Sequence, residues 1–187
     1  LWTNFLPGKD AGILDWYTVL IPLAALAVLA MHGALWVALK TEGDVERRAR
    51  GIVSAVWWAV LIFVVAITLG SFRLQPHLME SFNTRPWGYV FPLIAIAGLL
   101  GIRMLNGLEA FLASCLFVFG MLTSAAFGLY PYVLPSNADR ALSLSIYNAS
   151  APHYGLQVGF YWFIPGMLLA IGYFVFVYRH SSGKVRV

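Results

Sequence analysis

Residues 89–130 read YVFPLIAIAGLLGIRMLNGLEAFLASCLFVFGMLTSAAFGLY. Two apolar runs, 89–105 and 108–130, meet at Asn106-Gly107-Leu108 with no polar connector between them. Runs this long, joined this tightly, predict a helical hairpin whose arms each cross a bilayer. Gly107 supplies the permissive backbone at the turn. Asn106 is placed to cap the second arm, with Glu109 three residues on, as in a capping box. Pro92 falls in the first turn of the first arm, where proline is tolerated.

The rest of the chain repeats the pattern. Apolar runs also cover Trp16–Leu39, Ile52–Phe72 and Leu156–Tyr178. The first reaches roughly 36 Å at about 1.5 Å per helical residue, enough to cross a bilayer with tilt. The predicted fold is an all-α, multi-pass transmembrane bundle of five spans, read as one helical domain over residues 1–187. Pro165 marks a candidate kink in the last span. Of the 187 residues, 60% are hydrophobic and 11% charged, where a soluble domain carries roughly 25% charged residues. The mean hydropathy is +0.78. An ordinary soluble domain is excluded. The chain opens on Leu1, not Met, and is expected to be part of a longer subunit. No stretch joins a basic segment, a short apolar core and a small-residue cleavage site, so no signal peptide is expected.

Cys115 is the sole cysteine. It excludes an internal disulfide, a CxxC redox pair and a cysteine-based metal site. Its place inside an apolar run predicts a small buried core residue. The net charge of +4 does not point to nucleic acid, because the basic residues hug the ends of the apolar runs. With residues 40–51 inside, the inner face holds Lys40, Arg47, Arg48, Arg50, Arg103, Arg179, Lys184 and Arg186, and the outer face Lys9, Arg73, Arg85 and Arg140. The positive-inside rule then puts the N-terminus on the periplasmic side and the C-terminus in the cytoplasm. Aromatic residues gather at the outer ends of the runs, as at Trp16, Trp87, Tyr130 and Trp162, where amphipathic rings prefer the headgroup level.

Gly120, Ser124 and Gly128 repeat every four residues and place a small-residue groove on one face of the fourth span. Gly166 and Ala170 do the same on the fifth. Two readings are open: packing within the chain, or a groove for a partner subunit or a lipid tail. The loop KTEGDVERRAR, residues 40–50, mixes both charge signs, and its second half is able to extend the second span as a solvated helix. It too has two readings, a polar face or a docking surface.

An ionisable residue inside a membrane is a functional candidate by default. The central parts of the second, fourth and fifth spans contain none. Arg103 lies near an inner end and can snorkel; Glu109 sits at a helix N-terminus, which favours its charge. His32 is the exception, about 12 Å along the helix from Lys40. A haem ligand is one reading, since histidine is a common axial ligand, but no second histidine lies in any span. Met31, Met121 and Met167 offer only mixed pairs. A hydrogen-bonded interior histidine, donating to a carbonyl on a neighbouring helix, and a minor role in a proton path are the other readings. His77, His153 and His180 lie outside the spans without metal-ligand spacing. No phosphate loop, nucleophile elbow or zinc motif is present. No catalytic residue and no metal site is therefore assigned, and the residues alone read as those of a non-catalytic subunit. Two rivals remain: a transporter or channel bundle, which needs polar groups near the midplane, and a haem-bearing membrane anchor of a dehydrogenase, which needs paired histidines.

Residues 127–156, FGLYPYVLPSNADRALSLSIYNASAPHYGL, carry a distinctive order of steps: Tyr130-Pro131-Tyr132, Pro135-Ser136, Ser143-Leu144-Ser145 and Asn148-Ala149-Ser150. This order resembles the outer loop and helix junction of subunit II of cytochrome bd-type quinol oxidases. MHGALWVALKTEGDVERRAR resembles that family's helix ending in a Lys-Thr-x-Gly-acid turn, here Leu39, Lys40, Thr41, Gly43 and Asp44. PGKDAGILDWYTVL is most similar to the cyanide-insensitive branch. The likeness runs from about residue 3 to the C-terminus and covers only the second half of such a subunit, whose first half is a further four-helix bundle.

The resemblance implies a non-haem subunit of a quinol:oxygen oxidoreductase in the bacterial inner membrane. Subunit I, its partner, carries b-type and d-type haems and the quinol site. The complex reduces dioxygen to water and builds proton motive force without pumping, and subunit II supports assembly. The resemblance leaves room for a small accessory membrane subunit and a structural quinone. Pro131, Pro135, Ser136 and Asn148 are then candidates for folding the polar connector down on helix ends or a partner.

Overall fold

The computed structural model describes residues 3–4, 14–136, 140–180 and 183–186. Their contacts fall into two compact units, Leu1–Tyr130 with Val185–Val187, and Pro131–Lys184.

In the first unit a short parallel pair, β1 (Thr3–Asn4) and β2 (Leu14–Asp15), leads into helix α1 (Trp16–Lys40). Asp15 starts this helix. Its buried carboxylate accepts the Thr18 backbone N–H at 2.7 Å, and the Thr18 hydroxyl accepts the Asp15 N–H at 2.9 Å. This reciprocal pair satisfies two backbone donors that the helix start would otherwise strand. At the other end the Thr41 hydroxyl donates to the Val37 carbonyl at 2.8 Å, and the Lys40 ammonium lies 5.1 Å from the Trp36 ring centroid. β3 (Thr41–Glu42) pairs in parallel with the backbone of Val185–Arg186. Gly43, at φ +77°, then turns the chain.

Helix α2 (Asp44–Leu74) starts eight residues before its apolar run. The early turns are held by Arg47–Asp44 at 2.8 Å and Arg50–Glu46 at 2.9 Å. These i,i+3 and i,i+4 pairs stabilise a polar helix that hydropathy does not register, and the loop's second half does extend the span. A nine-residue helix, α3 (Pro76–Thr84), and a 3-10 turn at Pro86–Tyr89 follow; neither was legible in the apolar pattern. Helices α4 (Val90–Met104) and α5 (Gly107–Leu129) form the predicted hairpin, with Gly107 at φ +57°. The capping box expected there does not form: Asn106 has the extended backbone of an N-cap, but its side chain makes no cap hydrogen bond.

α1 packs on α2, α4 on α5 and α1 on α5. The buried Trp57 indole closes the ring by donating to the Leu99 carbonyl at 2.8 Å, from α2 to α4. The shared core is Met31, Leu35, Trp57, Val60, Leu99 and Phe117, with smaller neighbours. Cys115 is a correction to the sequence reading: it is exposed. The buried positions of α5 run Ala110, Ala113, Ser114, Phe117, Gly120, and residue 115 falls outside that stripe. Outward apolar side chains such as Leu26, Ile62 and Leu122 stay about two-thirds exposed, as a surface facing lipid or protein requires.

The second unit begins with β4 (Tyr132–Leu134) and β5 (Leu144–Ser145), an antiparallel pair with a register irregularity. Helix α6 (His153–His180) runs through Pro165 and contains no buried residue. Among the described residues five helical segments are long and apolar enough to cross a membrane.

Candidate functional site

His32 lies half-buried on α1, where its Nδ1 is 2.8 Å from Ser114 Oγ on α5. Ser114 is fully buried and donates its own proton to the Phe111 carbonyl at 2.6 Å. A hydroxyl has one proton to give. With that proton on Phe111, Ser114 accepts from His32, so Nδ1–H is the donor. The imidazole also stacks on the Phe111 ring, with centroids 4.9 Å apart and planes at 29°. The histidine was expected to donate to a carbonyl of a neighbouring helix; its partner there is instead the Ser114 hydroxyl, which itself donates to the Phe111 carbonyl. Ser114 was not singled out by sequence reasoning. The sequence carried no signal for it; only the burial of α5 places it on the inward stripe Ala110, Ala113, Ser114, Phe117, Gly120. The chemistry on view is a polar clip between two helices. Met31, on the same helix, is fully buried in the core.

The small-residue stripe of α5 faces other helices of its own unit. A Cβ at Gly120 would lie 2.5 Å from the Ala95 backbone nitrogen on α4. At Gly128 it would meet Leu78 at 3.0 Å and Phe82 at 3.3 Å on α3. Ser124 turns its hydroxyl back to the Gly120 carbonyl at 2.6 Å. The reciprocal residue, missed from sequence, is Gly98: a Cβ there would lie 2.5 Å from the Phe117 nitrogen. Near the other end of the hairpin Gly88 leaves room for the Phe127 ring, which packs against Trp87, Phe91 and Phe82. A Cβ at Gly166 on α6 would meet nothing within 4 Å.

Among its described residues the polar connector pairs β4 with β5 as an antiparallel hairpin. The Pro131 carbonyl accepts the Ile146 N–H at 3.0 Å, and the Ser136 N–H donates to Ser143 Oγ at 3.0 Å. Asn148 clamps the base, accepting the Ser145 N–H at 2.7 Å and donating to the Ser143 carbonyl at 3.0 Å. Pro135 follows β4 directly, half-buried. The neighbouring positions 137–139 lie outside the described residues.

His77 sits on α3, while His153 and His180 bound α6. Among the described residues no three His, Cys, Asp or Glu side chains gather as a metal site would need.

The five helical segments long and apolar enough to cross a membrane, with polar side chains such as His32 and Trp57 bonded across helices, define a multi-pass integral membrane protein. The family model described as Cytochrome bd terminal oxidase subunit II matches residues 3–181, and the chain belongs to that family. It is also 23% identical, over 207 aligned positions, to a Haemophilus influenzae protein described as "Probable cytochrome oxidase subunit 2". That similarity covers 95% of this chain and 55% of the relative, so the chain spans about half of the relative's length.

Proposed function

We propose that this chain is the second half of the non-haem subunit of a bd-type quinol:oxygen oxidoreductase. It supports the assembly and stability of a haem-bearing subunit I, in a complex that reduces dioxygen to water and generates proton motive force without pumping. The complex sits in a bacterial inner membrane, with the N-terminal end of this chain periplasmic and the C-terminal end cytoplasmic. The b-type and d-type haems belong to subunit I, and His32 serves as a polar clip between α1 and α5. The observation that carries this reading is the family match over residues 3–181. The donation of His32 Nδ1–H into the Ser114–Phe111 relay supports the structural role of that histidine.

The connector hairpin, held by Ser136, Ser143 and Asn148, is proposed as a surface that assembly uses. The test is co-expression of the complete subunit II with its candidate subunit I, purification on a tag in subunit II, and a reduced-minus-oxidised visible spectrum. Haem bands of b and d type in the co-purified complex, and none in the tagged subunit alone, are expected. A coloured subunit II alone would overturn the non-haem assignment. Deletion of residues 138–146 is expected to lower the yield of assembled complex; full assembly and haem content would remove the connector from the proposal.

A further inference from the structure

A cavity of about 230 Å³ opens at the bundle end where the α1–α2 and α4–α5 turns lie. Its polar lining is Arg50, Ser54, Arg103 and Asn106, and its apolar lining includes Leu35 and Ile102. The Arg103 guanidinium lies 5.4 Å from the centroids of both Trp57 and Trp58, and Nη1 donates to Ser54 Oγ at 3.3 Å. No carboxylate forms an ion pair with Arg103 among the described residues. Arg50 spends Nε and Nη2 on a single oxygen of Glu46, both at 2.9 Å. Its Nη1 donors remain uncommitted. Asn106 holds a cap position without capping. The cavity lining therefore carries one uncompensated positive charge and several unused donors above an apolar floor.

The place of the cavity selects the ligand. It lies at the ends of apolar spans, the depth at which a bilayer holds its phosphates, and basic pockets between transmembrane helices suit such groups. We propose that this cavity binds the phosphodiester head group of an anionic phospholipid, with acyl chain laid against the apolar lining. Arginine forks match phosphate oxygens, and Arg103 lies beside two indoles that leave its charge unneutralised. A single surplus positive charge favours a singly negative lipid over a zwitterionic one. The volume is below the roughly 300–1,000 Å³ of a pocket for a whole drug-sized molecule, which suits a head group. Free phosphate offers the same oxygens but leaves the apolar lining uncovered.

The test uses the purified oxidase complex carrying the complete subunit, in detergent, read by native mass spectrometry. Dioleoylphosphatidylglycerol, dioleoylphosphatidylcholine and inorganic phosphate are titrated separately. Retention of phosphatidylglycerol at lower concentration than phosphatidylcholine is expected. Arg103→Gln and Arg50→Gln are each expected to weaken that retention about tenfold, the loss of one charge-assisted contact. Arg50→Gln leaves the contacts of Arg103 with Trp57 and Trp58 intact, so it decides the question even if Arg103→Gln fails to assemble. Unchanged phosphatidylglycerol retention in Arg50→Gln overturns the proposal. Displacement of the lipid by millimolar inorganic phosphate also overturns it, assigning the site to a free anion.

Discussion

The crossing of α4 and α5 gives the sharpest test of the packing. Gly98 and Gly120 face each other's helices so closely that an added Cβ at either would stand 2.5 Å from backbone nitrogen, of Phe117 and Ala95 respectively. Ordinary contact begins at 3.4 Å, so Gly98→Ala must part the backbones locally by about 0.9 Å or tilt one helix. Backbone atoms cannot rotate aside as a side-chain tip can. Overpacking of this kind costs about 1–3 kcal/mol, and the separation also forfeits dispersion contacts along the seam. Gly120→Ala is expected to cost a similar amount. The double variant should cost clearly less than the sum, because helices already parted by the first methyl accommodate the second. Gly33→Ala is the control, since a Cβ there meets nothing within 4 Å. Thermal unfolding of the purified complex, followed by size-exclusion chromatography, should rank Gly33→Ala with the parent and both hairpin variants below it. Equal melting temperatures for Gly98→Ala and Gly33→Ala would refute the close crossing, and full additivity would refute the shared seam.

Three further outcomes are expected. Asp15→Ala should destabilise α1 by about 1 kcal/mol, within the usual range for a lost cap, whereas Asp15→Asn, which can still accept the Thr18 N–H, should lose much less; hydrogen exchange at residues 16–19 reads the difference. A double-mutant cycle of His32→Phe and Ser114→Ala should give a coupling of about 0.6 kcal/mol, with about 1.7 as the ceiling, and His32→Phe should leave the haem content of the complex intact; loss of haem would make His32 a ligand. Asn148→Ala removes two hydrogen bonds, each worth about 0.5–1.5 kcal/mol, and should expose the connector to limited proteolysis, with Asn148→Asp intermediate because it keeps the acceptor and loses the Nδ2 donor.

The spans were legible because lipid demands long apolar helices, and hydropathy reports that demand directly. What hydropathy cannot report is helix stabilised without lipid. The first turns of α2 rest on charge pairs among Asp44, Glu46, Arg47 and Arg50, and α3 is a short polar helix opened by proline. Asn106 shows the reverse error: the residue type and spacing of a capping box are present, but the side chain makes no cap hydrogen bond to the helix start. Cys115 misled because a run that is apolar all round does not announce which side is buried. Of the candidate site, His32 was visible as the one ionisable group deep in a span. Its partner Ser114 was not, since serine is common in membrane helices and only the α1–α5 crossing brings the two together. The stripe Gly120, Ser124, Gly128 was legible as a groove; its occupants, Ala95, Leu78 and Phe82, required the fold.

The hydrogen bonds of the connector have a consequence for how the chain acquires its order. The side-chain bonds that hold it join residues only three, five and seven positions apart. Closing such small loops costs little chain entropy and happens within about 10–100 ns. The hairpin is thus able to set its own shape as soon as it leaves the synthesis machinery, before any span beside it has found a neighbour. A surface shaped in advance loses less conformational freedom when something is laid on it. Helix α6 is the contrast: none of its residues is buried, so no core within its own unit shapes it.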